Sequence, residues 1–335
     1  MKKLNETAEG ATFAPKAASY FTSDREDLEF IHTGCTLLDC LLGGGYVLGR
    51  ITNIVGDKST GKTLLAMEGA ANFLQQYPNG RVFYRESESA FDPHYARALG
   101  IPVDRIDMGV EIFTVEDMFE DITKQIEYCN ENEIPGLYII DSLDALSDRA
   151  ELDRDIDKGS FGAAKAKLMS SLFRQRVQQL SKSRMCWLVV SQVRDNIGVM
   201  FGPKHTRSGG RALDFYSSHI IYLSQIKQIT QTKSKVERVT GIRIQAYSQK
   251  NKITFPLRKV VFDIIFGYGV DDEISSLDWL VSVGKYDKDE AKGFLTNREE
   301  KSKHISQDVV QTWREIEEKF LPPRRKYNGS SSSVA

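Results

Sequence analysis

Eight consecutive residues, Gly56-Asp57-Lys58-Ser59-Thr60-Gly61-Lys62-Thr63, carry the densest chemistry in the sequence. The spacing G-x-x-x-x-G-K-T lets the backbone curl so that successive N–H groups point at the oxygens of a phosphate chain. Lys62 then reaches the β and γ phosphates as a point charge, and the Thr63 hydroxyl is placed to ligate Mg²⁺. The implied ligand is a nucleoside triphosphate with its magnesium ion. Arg50 to Val55, before the loop, is rich in strand formers, and Leu64 to Tyr77, after it, spaces apolar residues as a helix does. Strand, loop and helix is the order this chemistry needs, because the helix N-terminus adds partial positive charge at the phosphates.

Other residues could complete such a site. Gly136-Leu137-Tyr138-Ile139-Ile140-Asp141-Ser142 is an apolar strand ending in an acid. In a phosphate-loop fold Asp141 lies beside the loop and holds Mg²⁺ through water. Arg85-Glu86-Ser87-Glu88 ends the strand after the loop helix, where an acid faces the γ-phosphate and orients the attacking water. Glu86 and Glu88 share one side of a strand, so spacing alone does not choose between them. Lys250 and Lys252 also point the same way, and their ammonium groups repel unless an anion lies between them. Arg194 to Arg211 sets Arg194, Lys204, Arg207 and Arg211 against the single acid Asp195, with Ile197, Met200, Phe201 and several glycines. A glycine-rich loop of that length is unusual without a function. Its charge supplies salt-dependent phosphate affinity, and its apolar groups contact bases without reading sequence.

The elements that must hold these residues follow from periodicity. Strands are expected at Arg81–Arg85, Gly136–Asp141, Met185–Ser191, His219–Gln225, Gly241–Tyr247 and Val260–Phe266. Helices are expected at Lys62–Gln76, Thr114–Asn130 and Ala163–Ser183. The alternation implies an α/β core with a mostly parallel central sheet, and the last strands, lacking helices between them, form an antiparallel edge. Residues 1–33 read as an N-terminal arm for subunit contact, 34–270 as the core and 271–320 as a small helical C-terminal module, with amphipathic helices at Asp272–Val283 and Gln307–Phe320. Residues 321–335 read as a disordered basic and Ser-rich tail.

The 335 residues balance 45 basic against 46 acidic side chains, for a net charge of −1. That excludes a generally basic DNA-coating protein and leaves room for a local basic groove. Cys35, Cys40, Cys129 and Cys186 form no C-x-x-C pair, as expected of reduced thiols in the cytosol. No signal-peptide core and no run of about 20 apolar residues stands out. The five histidines have no metal-ligand spacing, and Trp187, Trp279 and Trp313 are expected in the core.

Beyond the phosphate loop, further stretches resemble the RecA-type recombinases of bacteria and their phage relatives of the UvsX kind, over about Thr33 to Gly269. Thr33-Gly34 through Gly43-Gly44-Gly45 and Gly49-Arg50 resembles the family's lead-in to the loop, and Glu88-Ser89-Ala90-Phe91-Asp92-Pro93-His94-Tyr95-Ala96 its catalytic-glutamate segment. Gly198 to Gly202, with Gly209-Gly210 and Ala212-Leu213, resembles its second DNA loop, and Lys250-Asn251-Lys252 its pair of lysines acting across a subunit interface. The resemblance implies a RecA-like phosphate-loop ATPase core that uses ATP and Mg²⁺. Glu88 becomes the acid that activates water, and Lys62, Lys250 and Lys252 stabilise transferring phosphate, the latter two in trans like arginine fingers. Gly56, Asp57, Lys58, Ser59, Thr60, Gly61, Lys62 and Thr63 cradle the nucleotide, and Asp92 and Tyr95 meet the adenine. Asp141 joins Thr63 at the metal, and Gln192 senses the γ-phosphate. Phe161 and Gly162 from the first DNA loop, and Arg194, Ile197, Phe201, Arg207, Gly209, Gly210 and Arg211 from the second, contact DNA.

The function implied is a DNA-dependent ATPase that forms head-to-tail helical filaments on single-stranded DNA and exchanges strands with homologous duplex DNA in recombination and repair. Its partners are single-stranded and duplex DNA, further copies of itself and a candidate mediator or single-strand-binding protein, in a bacterial cytoplasm, or that of the host if phage-encoded, with no membrane. The rival readings are a ring-forming helicase motor on the same fold and a nucleotide-gated scaffold without strand exchange. Asp214 stands where bacterial members have a lysine, and the tail is basic where theirs is acidic.

Overall fold

The computed structural model of the protein describes residues 28–87, 91–109, 112–152, 162–195, 205–206, 210–295 and 298–320. The chain enters through β1 (Phe30–Ile31), α1 (Thr36–Leu42) and β2 (Tyr46–Val47), with β1 and β2 paired antiparallel. β3 (Ile51–Gly56) and α2 (Lys62–Gln76) then bracket the phosphate loop. β4 (Arg81–Glu86), α3 (Pro93–Ala98), β5 (Ile106–Asp107), α4 (Val115–Glu131) and β6 (Gly136–Asp141) follow. After α5 (Arg149–Leu152) come α6 (Gly162–Ser181), β7 (Met185–Gln192) and the short pair β8 (Arg194–Asp195) and β9 (His205–Thr206). α7 (Gly210–Tyr216) leads into β10 (His219–Lys233), β11 (Val236–Asn251), β12 (Lys259–Ile265) and β13 (Gly269–Asp271). Helices α8 (Asp272–Ser282), α9 (Lys288–Leu295) and α10 (Arg298–Lys319) end the described chain.

Nine strands form the central sheet in the order β13-β12-β11-β10-β3-β7-β6-β4-β5. From β5 to β10 every neighbouring pair is parallel, and β10 to β13 are antiparallel. The parallel part is buried on both faces, which is why its strands read as unbroken apolar runs. Along β7, Cys186, Leu188 and Val190 enter the cluster under α1 and α2, while Met185, Trp187 and Val189 enter the one under α4 and α6. Trp187 is packed edge-on against Phe119 and stacked on Phe173, a core role as the sequence implies. Among the described residues no helix is long and apolar enough to cross a membrane.

The helix and strand expectations agree closely with the structure over the core and differ at the β10–β11 ribbon, at the start of α10 and in the short elements. β10 and β11 continue well past Gln225 and begin before Gly241, as an exposed two-stranded ribbon. Its turn uses Ser234 and Lys235, both at positive φ (51° and 64°), the geometry of a tight hairpin turn. No Asn-Gly or Asp-Gly pair announces it. α10 starts at Arg298, nine residues before Gln307, because its first turns are charged and show no apolar stripe. The short helices α1, α3, α5, α7 and α9 and the two- and three-residue strands β1, β2, β5, β8, β9 and β13 were not expected, each too short for periodicity to register.

The C-terminal helices are tied into the core. Leu277, Leu280, Ile305, Val309 and Trp313 join the cluster that holds Leu37 and Leu41 of α1. Asp272, at the start of α8, accepts the Thr36 N–H at 2.6 Å and the Thr36 hydroxyl at 2.7 Å. It thereby caps α1, whose own N-cap residue Cys35 offers no side-chain cap. Glu68 of α2 reaches the same region and accepts the Val270 N–H at 2.8 Å. Burial pushes the Glu68 carboxyl from 4.5 up to about 7, the Val270 hydrogen bond opposing and the Asp272 charge adding to the rise.

A carboxyl raised in the folded state binds its proton more tightly there than in the unfolded chain. Its stabilisation is therefore complete below about pH 4.5 and is lost as pH rises through about 7. Glu68→Gln removes that loss. Its thermal midpoint should gain on the wild type as pH goes from about 5 to about 8, by up to about 3 kcal/mol of relative stability. Unfolding scans across that range check this, and a constant offset between the two proteins would refute it.

Candidate functional site

The parallel strands deliver their C-terminal ends to one edge of the sheet. Gly56 of β3 is the register partner of Gln192 of β7, and Glu86 of β4 is that of Asp141 of β6. The phosphate loop, the two acids and Gln192 therefore share this edge.

The loop is built to wrap an anion. Ser59 and Gly61 take positive φ values of 58° and 84°, which turns the chain sharply into α2. Space requires the first glycine and the left-handed backbone the second. A Cβ on Gly56 would lie 2.5 Å from the Thr60 hydroxyl, and one on Gly61 would lie 2.4 Å from Cδ1 of Ile264. No side chain caps the N-terminus of α2, so its first N–H groups face the loop's concavity. Lys62 is buried and its Nζ donates to the Asp57 carbonyl at 2.6 Å, while the Thr60 hydroxyl donates to the same carbonyl at 2.9 Å. The lysine thus lies folded across the loop it serves. Asp57 and Lys58 are exposed and Thr63 is half-buried at the first turn.

Asp141 is 8% exposed, and one of its oxygens accepts the Tyr84 hydroxyl at 2.8 Å. A hydroxyl from Thr63 and a carboxylate from Asp141 are hard oxygen donors suited to Mg²⁺. Mg²⁺ takes one or two protein oxygen donors and completes its shell with substrate phosphates and water, and among the described residues no group of three or more His, Cys, Asp or Glu side chains is gathered for a metal. Glu86 is half-buried at the strand end, and Glu88 lies outside the described residues. Asp92 caps α3 by accepting the N–H groups of His94 at 2.8 Å and Tyr95 at 3.2 Å. Tyr95, the third residue of that helix, is 39% exposed.

Lys250 and Lys252 stand at the opposite edge. Lys252 N–H donates to Ser218 O and Ser218 N–H to Ile51 O, which sets Lys252 level with the first residue of β3. Lys250 Nζ donates to the carbonyls of Asp214 (2.5 Å) and Phe215 (2.8 Å), and Lys252 Nζ to that of Phe215 (3.2 Å). These are carbonyls at the C-terminus of α7, the negative end of the helix dipole. Burial, with the Arg50 charge behind it, pulls the Lys252 ammonium below the ordinary lysine value. A cavity of about 280 Å³ opens beside it, lined by Arg50, Tyr216 and Ser218 among others.

Of the DNA-contact candidates, Gly162 opens α6, Arg194 opens β8, and Gly210 and Arg211 open α7. Phe161, Ile197, Phe201, Arg207 and Gly209 lie outside the described residues. Two features escaped the sequence reading. Arg50 shares the cavity of Lys252, which only the pairing of β3 with β10, and of β10 with β11, could reveal. Asp144, three residues after Asp141, accepts the main-chain N–H of Gln192 at 2.6 Å, and its D-x-x-D spacing was the one available signal.

A glycine loop between β3 and the uncapped α2, with an acid ending the strand two places along, defines a phosphate-loop nucleoside triphosphatase on a mostly parallel sheet. Residues 14–271 match the RecA N-terminal domain, and the chain belongs to the RecA family. It is similar to Protein RecA of Borrelia hermsii strain HS1 / DAH, 37% identical over 252 residues, which cover 75% of this chain and 68% of that protein. It is also similar to Protein RecA of Borrelia turicatae strain 91E135, 36% identical over 75% of this chain and 67% of that one. The Streptomyces venezuelae Protein RecA is 34% identical over 78% of this chain and 66% of its own length. As a family member the protein binds ATP and DNA, and is a DNA-dependent ATP hydrolase that acts by strand exchange in recombination and repair.

Lys62→Ala should abolish ATP hydrolysis while leaving the thermal midpoint near wild type, since its Nζ donates to a loop carbonyl that water can serve. Gly61→Ala should lose hydrolysis and also cost roughly 1–2 kcal/mol of stability, from the left-handed backbone and the Ile264 contact. Paired ATPase assays and unfolding scans separate the two. Turnover near wild type in either variant would remove the loop's assigned role.

Proposed function

We propose that ATP and Mg²⁺ bind at the Gly56–Thr63 loop, with Thr63 and Asp141 toward the metal, and that a neighbouring subunit completes the site. Glu88 activates the attacking water, with Glu86 beside it. Gln192 detects the γ-phosphate, and Asp92 and Tyr95 meet the adenine. The protein assembles head to tail into a helical filament on single-stranded DNA and pairs it with homologous duplex. Phe161, Gly162, Arg194, Ile197, Phe201, Arg207, Gly209, Gly210 and Arg211 form the DNA contacts. A mediator or single-strand-binding protein is a candidate partner, and the bacterial or host cytoplasm is the expected location.

One observation carries the intersubunit part of this reading. Lys252 lies level with Ile51, five residues along β3 from Gly56, or about 17 Å at the rise of a strand. Lys250 and Lys252 are also two strands removed from β3. Their side chains do not span that distance to the phosphates on their own loop. Two facing ammonium groups that serve a phosphate therefore serve another protomer's, and contact between opposite edges runs head to tail. A head-to-tail contact that does not close generates a helix. When ATP is bound, its Mg²⁺ neutralises charge developing on the phosphates, and the lysines stabilise that charge from across the interface.

Electron microscopy with single-stranded DNA and a non-hydrolysable ATP analogue tests the assembly. Extended helical filaments are expected, and closed hexameric rings would favour the helicase motor instead. Lys250→Ala or Lys252→Ala should lower DNA-stimulated turnover by roughly 10³-fold or more if each acts like a transition-state finger. Mixing Lys250→Ala with Glu88→Gln should restore part of the activity, because intact half-sites meet at mixed interfaces. No recovery at any mixing ratio would falsify action in trans.

A further inference from the structure

We propose that Asp144 is a positioning residue that fixes Gln192 between the metal-binding strand and the phosphate loop, and so sets how strongly DNA stimulates ATP turnover. The proposal rests on the reading of Gln192 as the γ-phosphate sensor and names what holds that sensor in place.

The argument begins with the ladder. β6 pairs with β7 only as far as Ile140 opposite Val189, whereas β3 follows β7 to its last residue, Gly56 opposite Gln192. N–H groups alternate sides along a strand. Trp187 N–H donates to Arg50 O and Val193 N–H to Gly56 O, so the odd-numbered donors of β7 face β3. The N–H of Gln192 therefore faces the other way, toward the space beyond the end of β6. There the chain leaves Asp141 and turns through a short 3₁₀ segment, Leu143–Ala145. That turn brings Asp144 to the position a further strand residue would have filled, and its Oδ2 accepts the Gln192 N–H at 2.6 Å. Asp144 is 8% exposed. A short bond from a main-chain donor to a buried carboxylate is of the charge-assisted kind.

The last residue of β7 is thus held from both sides. Asp144 ties it to the turn that follows the metal acid, and the Val193–Gly56 hydrogen bond ties the next residue to the start of the phosphate loop. A side chain that must register the presence of one phosphate needs its Cα set to a fraction of an ångström. Asp144 supplies that setting without touching phosphate. The chain then runs directly into Arg194 and the stretch proposed to contact DNA, so a loosened Gln192 would weaken the link between nucleotide and DNA more than the chemistry itself.

The test compares wild type, Asp144→Ala, Asp144→Asn, Gln192→Ala and the Asp144→Ala/Gln192→Ala double variant, each as the full chain. The readout is the ratio of ATP turnover with saturating single-stranded DNA to turnover without it. Asp144→Ala should lower the ratio roughly tenfold or more, the scale of one hydrogen bond to a charged acceptor. Asp144→Asn, which keeps an acceptor oxygen, should recover most of it. In the Gln192→Ala background Asp144→Ala should add little, because both changes act through one residue. A wild-type ratio in Asp144→Ala overturns the proposal, as do equal losses in the Ala and Asn variants or fully additive losses in the double variant. If Gln192→Ala itself keeps the wild-type ratio, the sensor reading fails first, a result distinct from failure of Asp144 alone.

Discussion

The parallel ladder that joins β4, β6, β7 and β3 sets Glu86 against Asp141 and Gln192 against Gly56. The groups at this edge that could touch a phosphate depend on that register. A slip of one residue in any strand would turn its end residue to the other face of the sheet and exchange the two cores. The alternation along β7 between the clusters of α1/α2 and α4/α6 makes such a slip costly, because each face is matched by its own helices. Packing on both faces is therefore what places the chemistry at one edge.

The same directionality gives each protomer two unlike edges. At one, an uncapped helix and a curled loop present N–H groups. At the other, Lys250 and Lys252 rest on the C-terminal carbonyls of α7. The carbonyl oxygens hold the two ammonium groups together in the place an anion would otherwise take. α2, the helix behind the loop, is itself anchored through Glu68 to the start of the C-terminal segment, and α1 is capped by Asp272.

How much of this the sequence disclosed follows from the range of the signals involved. The bounds of α2 and β6 were legible to the residue, because an unbroken apolar run and a glycine loop are local patterns. The loop's ligand class was equally plain, since its chemistry is written in consecutive residues. Gln192 and Asp141 could be nominated as strand ends, but their neighbours could not. That Asp144 meets the Gln192 N–H depends on the β6–β7 pairing stopping at Val189, three residues before the end of β7, a property of strand lengths rather than of motif. Arg50 beside Lys252 depends likewise on non-adjacent strands. The ribbon of β10 and β11 went unseen past Gln225 because it buries neither face and so shows no apolar alternation, and its Ser234-Lys235 turn lacks the usual residues for positive φ.

That ribbon has a consequence of its own. β3 leaves β10 at Leu223, and on the other side the last main-chain bond, from Phe266 N–H, reaches Thr240 O, so beyond those points both outer edges of the hairpin lack a strand partner among the described residues. Open edges invite strand addition from any other chain. The exposed side chains of Lys227, Lys233, Lys235, Glu237 and Arg238 crowd this stretch with charge, which discourages a second ribbon from docking alongside. A molecule proposed to polymerise through one pair of faces has to refuse every other pairing, and its longest free edges are guarded where lateral sticking would begin.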